Sequence, residues 1–357
     1  MLLSEDKMDT VYMLEKIVPD VMGIIRERYM LLRYISESEP IGRRALATMS
    51  GLSERVVRAH VDVLRRSGMV HCTTRGIMME VQGKRILPDI VNYFLQDYRL
   101  VEIRQAICQY FGLKEVIIVP GDSDINPLVK EEMARQAAIL LSDILGKVKC
   151  AVVSGGSTMA LVADCLPLSR SHTMILPARG SMGNIVELQA NTIAAGIAKK
   201  IQGSYRMIHL PEEISEAALQ LMLKEDVQLQ QNVTLAQSAQ AVIFGIGRAD
   251  LMAKKRGLSK EKQQWLQQQR ACGEALGTYC TQTGRIIVAN NKFGVSLLNI
   301  KKHAYIIAVA GGTQKSAAIM AVLSACRTGI FVTDEGAAMQ IWKVMSGKDG
   351  KDDKNRH

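Results

Sequence analysis

The chain has 357 residues, of which 48% are hydrophobic and 22% charged, with a net charge of +10. That composition excludes a disordered chain, and the length exceeds one ordinary core and favours two domains. No apolar run approaches the roughly 20 residues needed to cross a bilayer, and the opening MLLSEDKMDT carries acids where a leader would carry basic residues. A cytoplasmic protein with no membrane partner is the expectation.

Seven scattered cysteines form no C-x-x-C pair and read as small reduced core residues. Six histidines form no ligand motif. The pattern therefore predicts neither a metal nor a cofactor.

Residues 21–36 place Val21, Ile24, Ile25, Leu31, Leu32 and Ile35 on one helical stripe. EPIG breaks the pattern at Pro40 and Gly42. RRALATMS then predicts a short helix burying Ala45, Leu46 and Met49, ended by Gly51. In LSERVVRAHVDVLRRSG, Ser53 is placed to cap a helix whose inward stripe is Val57, Val61 and Leu64. Arg55, Arg58 and Arg65 fall on the opposite face. MVHCT, the turn TTRG and GIMMEV read as a hairpin.

Two helices, a tight turn, a basic helix and a hairpin describe a winged helix-turn-helix, whose third helix would enter a major groove. Residues 41–85 carry nine Lys/Arg against three acids and no aromatic platform, so duplex phosphate is a better partner than single strands. A plain three-helix bundle is the competing structural reading.

A helical pattern through Ile90, Phe94, Leu95, Leu100, Ile103 and Ile107 predicts a linker helix, with a possible dimer contact. Beyond it one design repeats. Apolar runs ending in glycine-rich or polar turns, each followed by a helical pattern, occur at 115–122, 150–158, 173–183, 206–212, 241–250, 305–313 and 329–338. Uninterrupted Val/Ile runs indicate strands covered on both faces, hence an open, mainly parallel α/β sheet. The fold class is α/β: a winged helix-turn-helix followed by a parallel-sheet effector domain. The charged residues 346–357 read as a disordered tail.

Ligands of such sheets bind beyond the carboxyl ends of the strands. There Gly155-Gly156-Ser157-Thr158 opens a helix, Gly311-Gly312-Thr313-Gln314-Lys315 repeats the theme with a cation, and Pro177-Ala178-Arg179-Gly180 adds a guanidinium. Backbone N–H groups at a helix start, with a cation and a bidentate arginine, suit phosphate. A small phosphorylated metabolite is the expected ligand. Glu187, Asp250, Glu274, Asp334 and Glu335 could supply a catalytic base, so a sugar-phosphate isomerase or deaminase with an N-terminal assembly domain is the alternative.

Taken in order, PIGRRALATMSGLSERVVR, LPARGSMG, QANTI, FGIGRAD, AVAGGTQK and VTDEGAA resemble the sorbitol-operon-type (SorC) sugar-binding repressors. The resemblance implies an N-terminal DNA-binding head over residues 1–88 and a linker helix over 89–112. It further implies an effector and oligomerisation domain over 113–345, similar in fold to sugar-phosphate isomerases and deaminases but without their activity. It implies repression of a glycolytic operon, with fructose-1,6-bisphosphate as effector, double-stranded operator DNA as partner and dimeric or tetrameric assembly. Carried over by position, the effector site would take Gly155, Gly156, Ser157, Thr158, Arg179, Gln189, Gly247, Glu274 and Lys315. Asn184 stands where the family often has an acid and is given no role. Ser53, Arg55 and Arg58 would meet the operator, with Arg43, Arg44 and Arg75 on its phosphates.

Overall fold

The computed structural model describes residues 19–95, 98–180, 185–210, 214–289 and 294–347. The expected tail and Asn184 thus lie essentially outside the described residues. The chain divides into two compact units, Met1–Glu102 and Ile103–His357.

In the first unit, helices α1 (Pro19–Ser38), α2 (Arg43–Ser50) and α3 (Glu54–Arg66) precede the antiparallel hairpin β1 (Val70–Thr73) and β2 (Gly76–Met79). Helix α4 (Val81–Leu95) follows directly. Leu31, Leu32, Ile35, Leu46, Val57, Val61 and Leu64 form the core, joined by Tyr29 and Tyr34. Val21 and Ile24, expected on the inward stripe, are exposed. Ala45 and Met49 are exposed too: an eight-residue helix with two arginines in its first turn buries only Leu46. Ile41 bridges Ile77, which ties the α1–α2 turn to the hairpin. The Glu39 carboxylate strengthens that tie by accepting from Met79 N–H at 2.6 Å and from Lys84 at 2.5 Å. The side chains of Phe94 and Leu95 lie outside the described residues.

Helix α5 (Tyr98–Phe111) leads into the second unit and buries Leu100, Ile103, Ile107 and Phe111. Its centre is a seven-stranded sheet in the order β3-β13-β12-β7-β4-β5-β6, every pairing parallel. The strands are β3 (Glu115–Val119), β4 (Cys150–Val153), β5 (Met174–Pro177), β6 (Ser204–Tyr205), β7 (Ala241–Gly245), β12 (Tyr305–Val309) and β13 (Ile330–Asp334). The helices of this unit include α6 (Pro127–Leu145), α7 (Ser157–Cys165), α8 (Ala190–Lys200), α9 (Glu216–Glu225), α10 (Val227–Gln237), α13 (Ser316–Cys326) and α14 (Glu335–Met345).

Six of the seven expected runs carry their strands. The run at 206–212 does not: the strand lies just before it, at Ser204–Tyr205, because only those residues pair with β5. From β4 the chain winds outward to β5 and β6, whereas from β7 it winds the other way to β12 and β13. The gap between the carboxyl ends of β4 and β7 is therefore the switch point where such sheets hold ligands.

A second, antiparallel sheet of β8 (Gly247–Arg248), β9 (Ala271–Ala275), β10 (Thr278–Thr281) and β11 (Ile286–Ala289) stands beside it. It packs Tyr279 against Ala249, Ala253, Leu258 and Leu266, contributed by α11 (Ala249–Lys255), α12 (Lys260–Gln268) and their connection. All seven cysteines are unpaired thiols. Cys280 and Cys326 are buried, but Cys72 is exposed on the hairpin and is no core residue.

Candidate functional site

In the first unit, the α3 face opposite its buried stripe presents Arg55, Arg58, Arg65 and Arg66 to solvent. The guanidinium groups of Arg55 and Arg58 have no partner among the described residues. Arg43 and Arg75 are likewise exposed, while Arg44 lies 3.5 Å from Glu54. Ser53 is spent on structure: its hydroxyl accepts from Val56 N–H at 3.4 Å and caps α3. The helix is held from behind by buried His60, whose Nε2 lies 2.7 Å from Glu27 while Arg28 donates to its Nδ1 at 3.3 Å. Nothing in the spacing of α3 announces that polar brace.

In the second unit, the loop after β4 sits at the switch point. Ser154 N–H donates to Ile243 O on β7 at 3.0 Å, and Ser154 Oγ accepts from Gly245 N–H at 3.2 Å. Gly156 adopts φ 109°, a conformation open to glycine alone, and a Cβ there would meet empty space. Its own N–H is committed to Leu188 O at 2.8 Å, so it is unavailable to a ligand. The first intrahelical bond of α7 runs from Ala160 N–H to Gly156 O at 3.0 Å. The N–H groups of Ser157, Thr158 and Met159 thus head the helix without a helical acceptor. Gly155 packs directly on Leu188 O and Ala190 N, which brings Gln189 against the same loop. Gly155, Gly156, Ser157, Thr158 and Gln189 are one assembly.

Lys130, on α6, was not singled out in the sequence. It donates from Nζ to Ser157 Oγ at 2.8 Å. Burial holds its ammonium below the ordinary lysine value, with the charges of Lys315 and then Lys255 adding to the effect.

The loop after β12 differs from its expected role. Gly312 N–H donates to Asp334 Oδ2 at 2.7 Å, Thr313 N–H to Asp122 Oδ1 at 3.4 Å, and Gln314 N–H to Asp124 Oδ2 at 2.7 Å. Three carboxylates therefore already occupy the donors that a phosphate would need. Only the Lys315 side chain carries the expected chemistry here. Asp334 is wholly buried; desolvation raises its pKa, opposed by the hydrogen bonds it accepts from Ser123, Ala337 and Gly312.

Arg179, Gly247 and Glu274 form a separate cluster. Glu274 Oε1 accepts from Arg256 Nη2 at 2.6 Å, from Gly277 N–H at 2.7 Å and from Arg179 Nη1 at 3.4 Å. Gly247 pairs with Glu274 across β8 and β9. A Cβ at Gly277 would strike the Arg179 guanidinium, so the arginine lies flat on that turn. Burial first, then the neighbouring Arg256, lowers the Arg179 pKa to about 9, which leaves it charged at neutral pH.

The acids named as candidate bases are engaged or exposed. Asp334 caps α14, Glu335 accepts from Gly121 N–H at 3.1 Å, Asp250 pairs with Arg248 at 2.8 Å, and Glu187 is exposed on the surface. Among the described residues no three His, Cys, Asp or Glu side chains gather as metal ligands, and no helix is long and apolar enough to cross a membrane.

One unit with a basic exposed helix and one with a helix N-terminus at a sheet switch point are the parts of a DNA-binding regulator with a small-molecule domain. Residues 98–343 match the Sugar-bind family, described as "Putative sugar-binding domain", and residues 24–105 match the CggR N-terminal DNA binding domain. The chain belongs to this SorC-type family of sugar-binding transcriptional regulators. It is 34% identical over 329 residues to the central glycolytic genes regulator of Priestia megaterium, covering 91% of this chain and 96% of that one. Its identity to the regulator of the same name from Bacillus subtilis is also 34%, over 92% and 96% of the two chains.

A SorC family regulator structure from Enterococcus faecalis superposes with a TM-score of 0.63 at 34% identity, over 68% of this chain and all of that one. Full-length SorC from Klebsiella pneumoniae shares the fold, with a TM-score of 0.62 at 16% identity over 89% and 98%. These relatives are regulators, and the chain is a transcriptional regulator rather than an isomerase or deaminase.

Proposed function

We propose that this regulator represses a glycolytic operon and that a phosphorylated sugar, fructose-1,6-bisphosphate in the first instance, controls it through the second unit. The observation that carries the reading is the head of α7 at the switch point, where the first N–H groups have no helical acceptor and Ser157 meets Lys130, itself within reach of the Lys315 charge. Similarity to the two central glycolytic genes regulators over nine-tenths of the chain supports the choice of operon and effector.

The first unit acts as a winged helix-turn-helix. Arg55 and Arg58 on α3 read the operator, with Arg43, Arg44 and Arg75 on backbone phosphates. Ser53 serves chiefly to start the helix. Residues 1–88 form the head, 89–112 the linker and 113–345 the effector and oligomerisation domain, working as a dimer or tetramer in the cytoplasm. The effector acts through the difference in its affinity for the DNA-competent state and the released state.

Fluorescence anisotropy on an operator fragment tests the reading. Wild-type protein binds tightly, binding weakens with salt, and fructose-1,6-bisphosphate changes it. Arg58→Ala lowers operator affinity about tenfold or more while sugar-phosphate binding stays intact. Lys315→Ala leaves the operator affinity and removes the response to effector. Equal loss of both activities in Arg58→Ala would mean that the two functions are not separable.

A further inference from the structure

The Ser157 hydroxyl at the head of α7 meets an ammonium that comes from another part of the chain. Lys130 lies one turn inside α6, immediately after the loop containing Asp122 and Asp124. That loop is fastened to the one bearing Lys315. Asp124 Oδ2 accepts from Gln314 N–H at 2.7 Å, and Asp122 Oδ2 accepts from Thr313 Oγ1 at 2.5 Å. Two glycines make room for the clasp: a Cβ at Gly312 would come 2.5 Å from Asp124, and one at Gly336 would collide with Asp122. Lys130 and Lys315 are thereby brought within electrostatic reach of each other, as is Lys255 at the end of α11.

The ammonium that meets the helix start at Ser157 is thus repelled by two others. Lys130 is also partly desolvated, and the charges that act most strongly on it are both lysines. Glu131 and Glu132 follow Lys130 directly in the chain but are not among the charges that act on it, and Asp122 and Asp124 are turned to backbone N–H groups of the opposite loop. The charges that bear on Lys130 are thus of its own sign, and two ammoniums plus a helix N-terminus match a doubly ionised phosphate monoester.

We propose that Lys130 is a second effector-binding lysine of this regulator, acting with Lys315 on the phosphate that sits at the head of α7. The inference rests on the sugar-phosphate reading of the site. It adds a specificity: the site takes a dianionic phosphate in preference to a neutral sugar or a singly charged acid. Ser157 is the bridge, because its hydroxyl can keep accepting from Lys130 while donating to a phosphate oxygen.

Isothermal titration with fructose-1,6-bisphosphate on the full chain tests this, using wild type, Lys130→Gln, Lys130→Arg, Lys315→Ala and the Lys130→Gln/Lys315→Ala pair. Removing a charge-assisted hydrogen bond is expected to weaken binding by about tenfold or more in Lys130→Gln, with Lys130→Arg recovering most of it. The double variant should lose less than the product of the two single losses, as expected when two groups hold one phosphate. Thermal unfolding in the absence of ligand verifies that each variant is folded. Unchanged affinity in Lys130→Gln, alongside a clear loss in Lys315→Ala, overturns the role of Lys130 and leaves the site reading standing. No binding of any sugar phosphate by wild type overturns both.

Discussion

Two loops at one edge of the sheet begin with the same Gly-Gly pair and end in opposite states. After β4, Gly156 spends its N–H on Leu188 O, yet the helix that follows starts with three N–H groups that have no helical acceptor. After β12, the N–H groups of Gly312, Thr313 and Gln314 all donate to aspartates. The first loop leaves the start of its helix without carboxylate partners among the described residues. The second offers a lysine on a backbone that the protein has already neutralised. A glycine-rich loop is thus only a potential anion site, and what decides it is whether a carboxylate of the same chain reaches it first.

The contrast can be broken experimentally, and the largest effect lies just beyond it. Glu274→Ala would leave Arg179 and Arg256 buried together without their shared carboxylate, which should cost about 3–5 kcal/mol. Chemical denaturation of wild type and variant measures it, and a loss under 1 kcal/mol would show that the two guanidiniums find other partners. Gly312→Ala combines a left-handed φ of 95° with a collision against Asp124, so a loss of roughly 2–3 kcal/mol is expected. Gly156→Ala has the strain without the collision and should cost less, about 1–2 kcal/mol, while on the proposed reading its methyl group would meet the effector. The informative result is the crossing: Gly312→Ala hurts the melting temperature more, Gly156→Ala hurts effector affinity more. If both rank the same way, the two loops do not differ in role. Smallest in stability is Thr158→Ala, expected within about 0.5 kcal/mol of wild type while blunting the effector response.

Much of this was legible from local pattern. Continuous Val/Ile runs marked the buried strands, and the arginines of α3 fell opposite Val57, Val61 and Leu64 as spaced. The antiparallel sheet was not legible, for a specific reason. Its β9–β10 turn is Leu276-Gly277, with φ of 50° and 75°, whereas the usual signal for such a hairpin is Asn-Gly or Asp-Gly. The strand at Ser204–Tyr205 was displaced from the apolar run because pairing with β5, not hydrophobicity, sets it. Arg256 and Lys130 carried no motif, and both emerged only as partners of residues far along the chain.

The sequence by itself determined the two-part plan and the loops where ligands could bind, because strand burial, helix faces and glycine turns are written within a few residues of one another. The tertiary structure alone decided which donors remained free. Asp124 and Gln314 are 190 positions apart, Arg179 and Glu274 are 95, and Lys130 and Ser157 are 27. Hydrogen bonding and charge neutralisation act over a few ångströms of space whatever the separation in sequence, so only the folded chain could show one glycine loop closed by its own acids and the other left open beside a lysine.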